Sequence, residues 1–128
     1  MKHVKKSDWL ENLKKHEAAC ALKFAKLDEA QEREAIAYFK SLGAKMDADA
    51  NLIVPKKKLG LAFKFIKLQE SIVVAVYNRA NSIFHLNESR ADGNIFDVAY
   101  WSERAADASQ RLAHYSKKLA ARKEAAKK

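Results

Sequence analysis

The sequence predicts an α+β fold: two N-terminal helices, a small three-stranded antiparallel β-meander and one long C-terminal helix, with an all-α helical bundle as the alternative. Three observations carry this expectation. Apolar residues recur at helical spacing towards both ends of the chain. The middle instead places four β-branched residues, Ile72, Val73, Val74 and Val76, within five positions, which costs helix propensity and suits a pleated surface. Glycine (three) and proline (one) are scarce, so few turns are encoded and the elements between them are long.

The first helix is expected over residues 7–27. Ser7 stands as its N-cap and Asp8 in its first turn, where the helix dipole favours an anion. Trp9, Leu10, Leu13, Cys20, Ala21, Phe24 and Leu27 recur along one side, with Lys14, Lys15, Lys23 and Lys26 opposite. A second helix opens at Asp28, which with Gln31 approximates a capping box. Ala35, Ile36, Phe39 and Leu42 make its apolar face, and Gly43 sits where a left-handed terminating residue is expected. Residues 44–60 read as a connection with a short strand at "NLIV", ended by Pro55, which lacks a backbone donor.

The stretch from Leu61 to Leu86 is the most apolar in the chain. A membrane span requires about 20 consecutive apolar residues. Lys64, Lys67, Gln69 and Glu70 interrupt the run too early, so it is not read as one. As strands, "LAFKFIKL", "IVVAVY" and "SIFHL" form the meander, with "NRAN" as the second turn. This reading needs a weak turn at "ES" and a bulge where the lysine phase slips between Phe65 and Ile66. As a helix, Leu61, Phe65, Leu68, Ile72 and Val76 align on one face, with Lys64, Lys67, Ser71 and Asn78 opposite. "ESRADGN" is the clearest loop. Asn94 or Asp92 then starts the last helix, whose stripe is Ile95, Val98, Ala99, Ala105, Leu112, Tyr115 and Leu119. Its acids lie towards its start and its bases towards its end, matching the dipole. Nothing large and apolar follows Leu119, so residues 120–128 are expected as a flexible basic tail on one small domain spanning 1–128.

Charge is distributed in blocks. The chain carries a formal +9. Residues 1–26, 51–69 and 101–128 are net +4, +5 and +5, while residues 27–50 and 70–100 are net −3 and −2. Basic blocks that converge in the fold make a surface able to hold phosphates or an acidic protein. The candidate contacts are Lys56, Lys57, Lys58, Lys64 and Lys67, together with Arg111, Lys117, Lys118, Arg122 and Lys123 on the last helix. Phe63 and Phe65 flank Lys64, a pattern that serves either a core or a base-stacking platform. Tyr100 and Trp101 diverge by about 100° on a helix, so one of them is a candidate contact.

Motifs for chemistry are few. "DADANLIVPKKK" begins like an EF-hand loop, but Leu52 replaces the turn glycine and Lys58 the bidentate glutamate. His16 and Cys20 have metal-ligand spacing, yet only His3, His85 and His114 remain as further soft donors for a four-ligand site. No metal or cofactor is therefore expected. No nucleophile elbow, phosphate-binding glycine loop or HExxH pair occurs, so catalysis is not expected. The single cysteine excludes an intrachain disulfide, and "MKHVKKSDW" lacks the apolar run of a secretory signal, which together favour a cytoplasmic location. The expectation is a non-enzymatic, nucleic-acid-binding accessory protein (DNA or RNA) that contacts phosphates with little sequence preference and has no membrane role. The alternative is a small protein-interaction module, an inhibitor or adaptor that docks on an acidic protein surface.

Overall fold

A computed structural model of the chain describes residues 6–127, so His3 lies outside the described residues. Three long helices make up almost all of it: α1 (Lys6–Ser41), α2 (Leu59–Asp92) and α3 (Ile95–Ala126). At 1.5 Å per residue each is about 50 Å long. Between α1 and α2 lie a minimal antiparallel pair, β1 (Lys45–Met46) with β2 (Leu52–Ile53), and a 3-10 turn, Lys56–Lys58. The architecture is the all-α bundle that stood as the alternative, and the α+β expectation is corrected on two counts.

The two expected N-terminal helices are one. No glycine or proline occurs between Lys6 and Ser41, so nothing stops α1 at Leu27. Asp28 sits exposed inside the helix, where an aspartate costs only up to about 0.7 kcal/mol relative to alanine. Likewise Ser7 follows Lys6 inside α1 and is therefore not its N-cap.

The expected three-stranded meander over Leu61–Leu86 is helix α2. Ala62, Phe65, Gln69 and Ile72 are buried at spacings of three and four residues, the period of a helix and not of a strand. The four β-branched residues each lose a few tenths of a kcal/mol in helix propensity. Burying a side chain such as Phe65 or Ile72 against two other helices returns about 1.5–3 kcal/mol each, so packing outweighs propensity. Phe65 is fully buried while Phe63, two residues away and about 200° round the helix, is 63% exposed.

Both long-helix exits use glycine in the left-handed region. Gly43 has φ +96° and Gly93 φ +69°. In each case the following amide reaches back five residues, Ala44 N–H to Phe39 O and Asn94 N–H to Ser89 O. The glycine amide reaches back three, so both ends are Schellman motifs. Asn94 then caps α3, its side chain accepting from the Asp97 amide at 3.1 Å.

The helices pack around α2. α1 runs antiparallel to it, through His16 against Phe84, Phe24 against Tyr77, and Tyr38 stacked on Phe65 with centroids 4.0 Å apart. α3 returns antiparallel along another side of α2, through His85 stacked on Trp101 and Arg79 bonded to Ser109. α1 and α3 meet where Lys123 pairs with Glu34. The core lies nearer the β-hairpin end: Tyr38, Leu42, Ala62, Phe65, Ile72 and Leu119. α3 continues as helix through the segment after Leu119, and Ala126 packs partly buried against that core.

Candidate functional site

The basic residues are positioned by α2, α3 and the turn that opens α2. Pro55 holds extended backbone (φ −54°, ψ 139°) and its carbonyl accepts from the Lys58 amide at 2.8 Å, which starts the 3-10 turn. Lys56, Lys57 and Lys58 are all exposed there. α2 then begins with no side-chain cap and no acid in its first turn. Three ammonium groups therefore stand beside the positive end of a helix dipole, a local field that favours an anion.

Along α2 and α3 the two antiparallel helices leave an open groove of about 550 Å³. Lys67 and Glu70 line it from α2, and Arg104, Asp107 and Arg111 from α3. Lys64, one turn before Lys67, continues the α2 edge. Lys118 and Arg122, seven and eleven residues after Arg111, return to the same face of α3. The α3 edge thus reads Arg104, Arg111, Lys118, Arg122 over roughly 27 Å. Arg111 is linked to Asp107 at 3.1 Å, but both side chains are more than half exposed, so the bond holds neither firmly. Arg104 lies over the Tyr100 ring, 5.5 Å from its centroid.

Of the ten predicted contacts, Lys64, Lys67, Arg111, Lys118 and Arg122 therefore share one side of the molecule, and Lys56, Lys57 and Lys58 lie at the end of the same helix pair. Two stand apart. Lys123 faces α1 and is engaged with Glu34. Lys117 lies two residues from buried Leu119, about 200° round α3, and faces away from α2. Phe63 is exposed and Phe65 is not, so only one of that pair is available to a ligand. Of Tyr100 and Trp101, Tyr100 is exposed and Trp101 is half-buried against His85.

Sequence reasoning missed Arg104, and it missed an exposed apolar row on α2, Leu59, Phe63, Ile66, Val74 and Tyr77. Arg104 lies one heptad before Arg111, a signal present in the sequence. The apolar row is visible only once 59–92 is read with helical periodicity.

The chemical motifs are also placed. Asp47 does not stand free in its loop: Oδ1 accepts from the amides of Asp49 and Asn51 at 2.9 and 2.8 Å, closing the β1–β2 turn. Cys20 Sγ lies 3.6 Å from His16 Nε2, and the His16 ring stacks on Phe84. Among the described residues no group of three His, Cys, Asp or Glu side chains is arranged to hold a metal ion. No described helix is long and apolar enough to cross a membrane. Comparison with protein-family models, with curated proteins and with solved structures finds no match to this chain.

Proposed function

We propose that the protein is a non-enzymatic binding module for a polyanion, with nucleic-acid phosphates as the ligand and little sequence preference. The observation that carries this reading is the one-sided line of bases on α3, Arg104, Arg111, Lys118 and Arg122, facing Lys64 and Lys67 across the groove. Lys64, Lys67, Lys118 and Arg122 form no ion pair with any described residue, so their charge is available to a ligand. A straight basic edge on a rigid helix pair matches a phosphate backbone better than it matches one small anion, because phosphates recur along a line. Lys56, Lys57 and Lys58 extend the positive field beyond the N-terminal end of α2.

Anisotropy titrations with mixed-sequence duplex and single-stranded DNA and RNA test the reading. The expected result is binding to several of these at about 50 mM salt, with log K falling linearly as log salt rises. No binding to any of them at that salt overturns it. The reading that then takes its place is docking on an acidic protein, which uses the same field and is checked by identifying a protein that co-purifies through Arg111 and Lys118.

A further inference from the structure

Neither α1 nor α3 covers one face of α2. Leu59, Phe63, Ile66, Glu70, Val74 and Tyr77 follow one another at spacings of three and four residues, and all are exposed. This is the spacing of a helix-packing seam, about 27 Å long, on a helix whose opposite side is packed against α1 and α3.

The seam is complementary to itself. Phe63 protrudes from it with 63% of its surface exposed. Eleven residues further along the same face, a largely apolar groove opens between α1 and α2, lined by Ala21, Phe24, Ala25, Val73, Val74 and Tyr77 together with one charged residue, Asp28. Between this knob and this hole lie Lys67 and Glu70, opposite in charge, both exposed and neither ion-paired with a described residue. The midpoint from Phe63 to Val74 falls between Leu68 and Gln69, and so does the midpoint from Lys67 to Glu70. A two-fold axis through that point, perpendicular to α2, brings each Phe63 over the other copy's groove. The same rotation sets each Lys67 against the other copy's Glu70. We propose that α2 is a dimerisation helix, and that a second copy of this chain packs antiparallel on this seam.

A second copy is the occupant because knob, hole and both charges lie on one chain with a single centre of symmetry, the condition for an isologous interface. The central charges also fix register. A slip of one helical turn sets Glu70 level with Phe63 of the other copy in one direction and with the other copy's Glu70 in the opposite direction. A parallel arrangement in register sets Glu70 beside Glu70, and like charges in contact are disfavoured. The inference does not depend on the polyanion reading, although in the dimer Lys67 is engaged by the other copy's Glu70 and leaves the basic edge to the remaining bases; its test contains no nucleic acid.

Sedimentation equilibrium of the full chain at about 1–100 µM is expected to show a monomer–dimer equilibrium. Phe63→Glu should leave helical content unchanged and abolish the dimer. Lys67→Glu and Glu70→Lys should each weaken dimerisation by about tenfold or more, which corresponds to about 1.4 kcal/mol. Mixing these two variants should restore association as a heterodimer, because every Glu then faces a Lys. Both positions are exposed, so this complementation remains informative if Phe63→Glu does not fold. A wild-type monomer at about 100 µM overturns the proposal, as does single-variant weakening with no recovery on mixing.

Discussion

Gln31 and Gln69 clasp each other's backbone across the α1–α2 interface. Gln31 Nε2 donates to the Gln69 carbonyl at 2.9 Å, and Gln69 Nε2 donates to the Gln31 carbonyl at 2.8 Å. Gln69 is only 7% exposed and also donates to Glu34 at 3.1 Å, while Glu34 takes the ammonium of Lys123 from α3. One polar relay thus touches all three helices at the edge of the core. Apolar contacts alone tolerate sliding of one helix on another by a turn. These reciprocal bonds do not, because a slip leaves buried polar groups unpaired.

Gln69→Leu is expected to lower stability by about 1–3 kcal/mol in urea unfolding, since it removes both donated bonds from a buried site. Gln69→Glu should cost more than Gln69→Leu, because it turns a charged acceptor towards the carboxylate of Glu34 and the carbonyl of Gln31, where Gln69 placed a donor. Equal cost for the two replacements contradicts this arrangement.

Phe63 and Phe65 should behave as opposites. Phe65→Ala removes a fully buried ring stacked on Tyr38 and is expected to cost about 3–5 kcal/mol. Phe63→Ala at low protein concentration should change stability by about 0.5 kcal/mol or less. Comparable losses at both positions point to a pleated strand or a different helix phase.

Gly43→Ala places a side chain at φ +96°, where an L-residue is strained. Space is not the obstacle, since the new Cβ meets only Pro55 Cγ at an ordinary 3.6 Å. Destabilisation of at least about 1 kcal/mol is expected from conformation alone, read as a shift in thermal midpoint. An unchanged midpoint shows that α1 ends in another way.

Lys118→Gln with Arg122→Gln should leave the thermal midpoint within a few degrees, as neither is ion-paired with a described residue. The pair should weaken nucleic-acid binding and lower the salt slope by up to about 1.8 log units per log unit, if both contact duplex phosphates. The triple change of Lys56, Lys57 and Lys58 to glutamine should lower it by up to about 2.7. Lys117→Gln serves as the control on the opposite side of α3. A slope that responds to Lys117 as strongly as to Lys118 removes the case for a one-sided edge.

Much of the chain's punctuation is legible in its residues. Gly43 announces the exit from α1 because only glycine enters the left-handed region without strain, whereas "ESRADGN", read as a loop after a strand, is helix up to Asp92 and leaves only Gly93 and Asn94 outside. Asn94 announces the start of α3, "NLIV" holds the strand residues Leu52 and Ile53, and Pro55 closes that segment. These are local effects, decided within a few residues by backbone sterics and short hydrogen bonds. The candidate lysines before α2 are legible for the same reason, as an acid-free run in a turn.

Two things were decided only by tertiary structure. The first is the state of residues 59–92. Ile72, Val73, Val74 and Val76 favour a strand locally by tenths of a kcal/mol each, whereas α1 and α3 are present only in the folded protein and reward a helix with buried area worth several times more. The second is which bases share one side of the molecule. Charge along the chain does not tell Lys118 from Lys117 or Lys123. Helix phase against the neighbouring helices separates them, turning Lys118 to the α2 edge, Lys117 away from α2 and Lys123 onto Glu34.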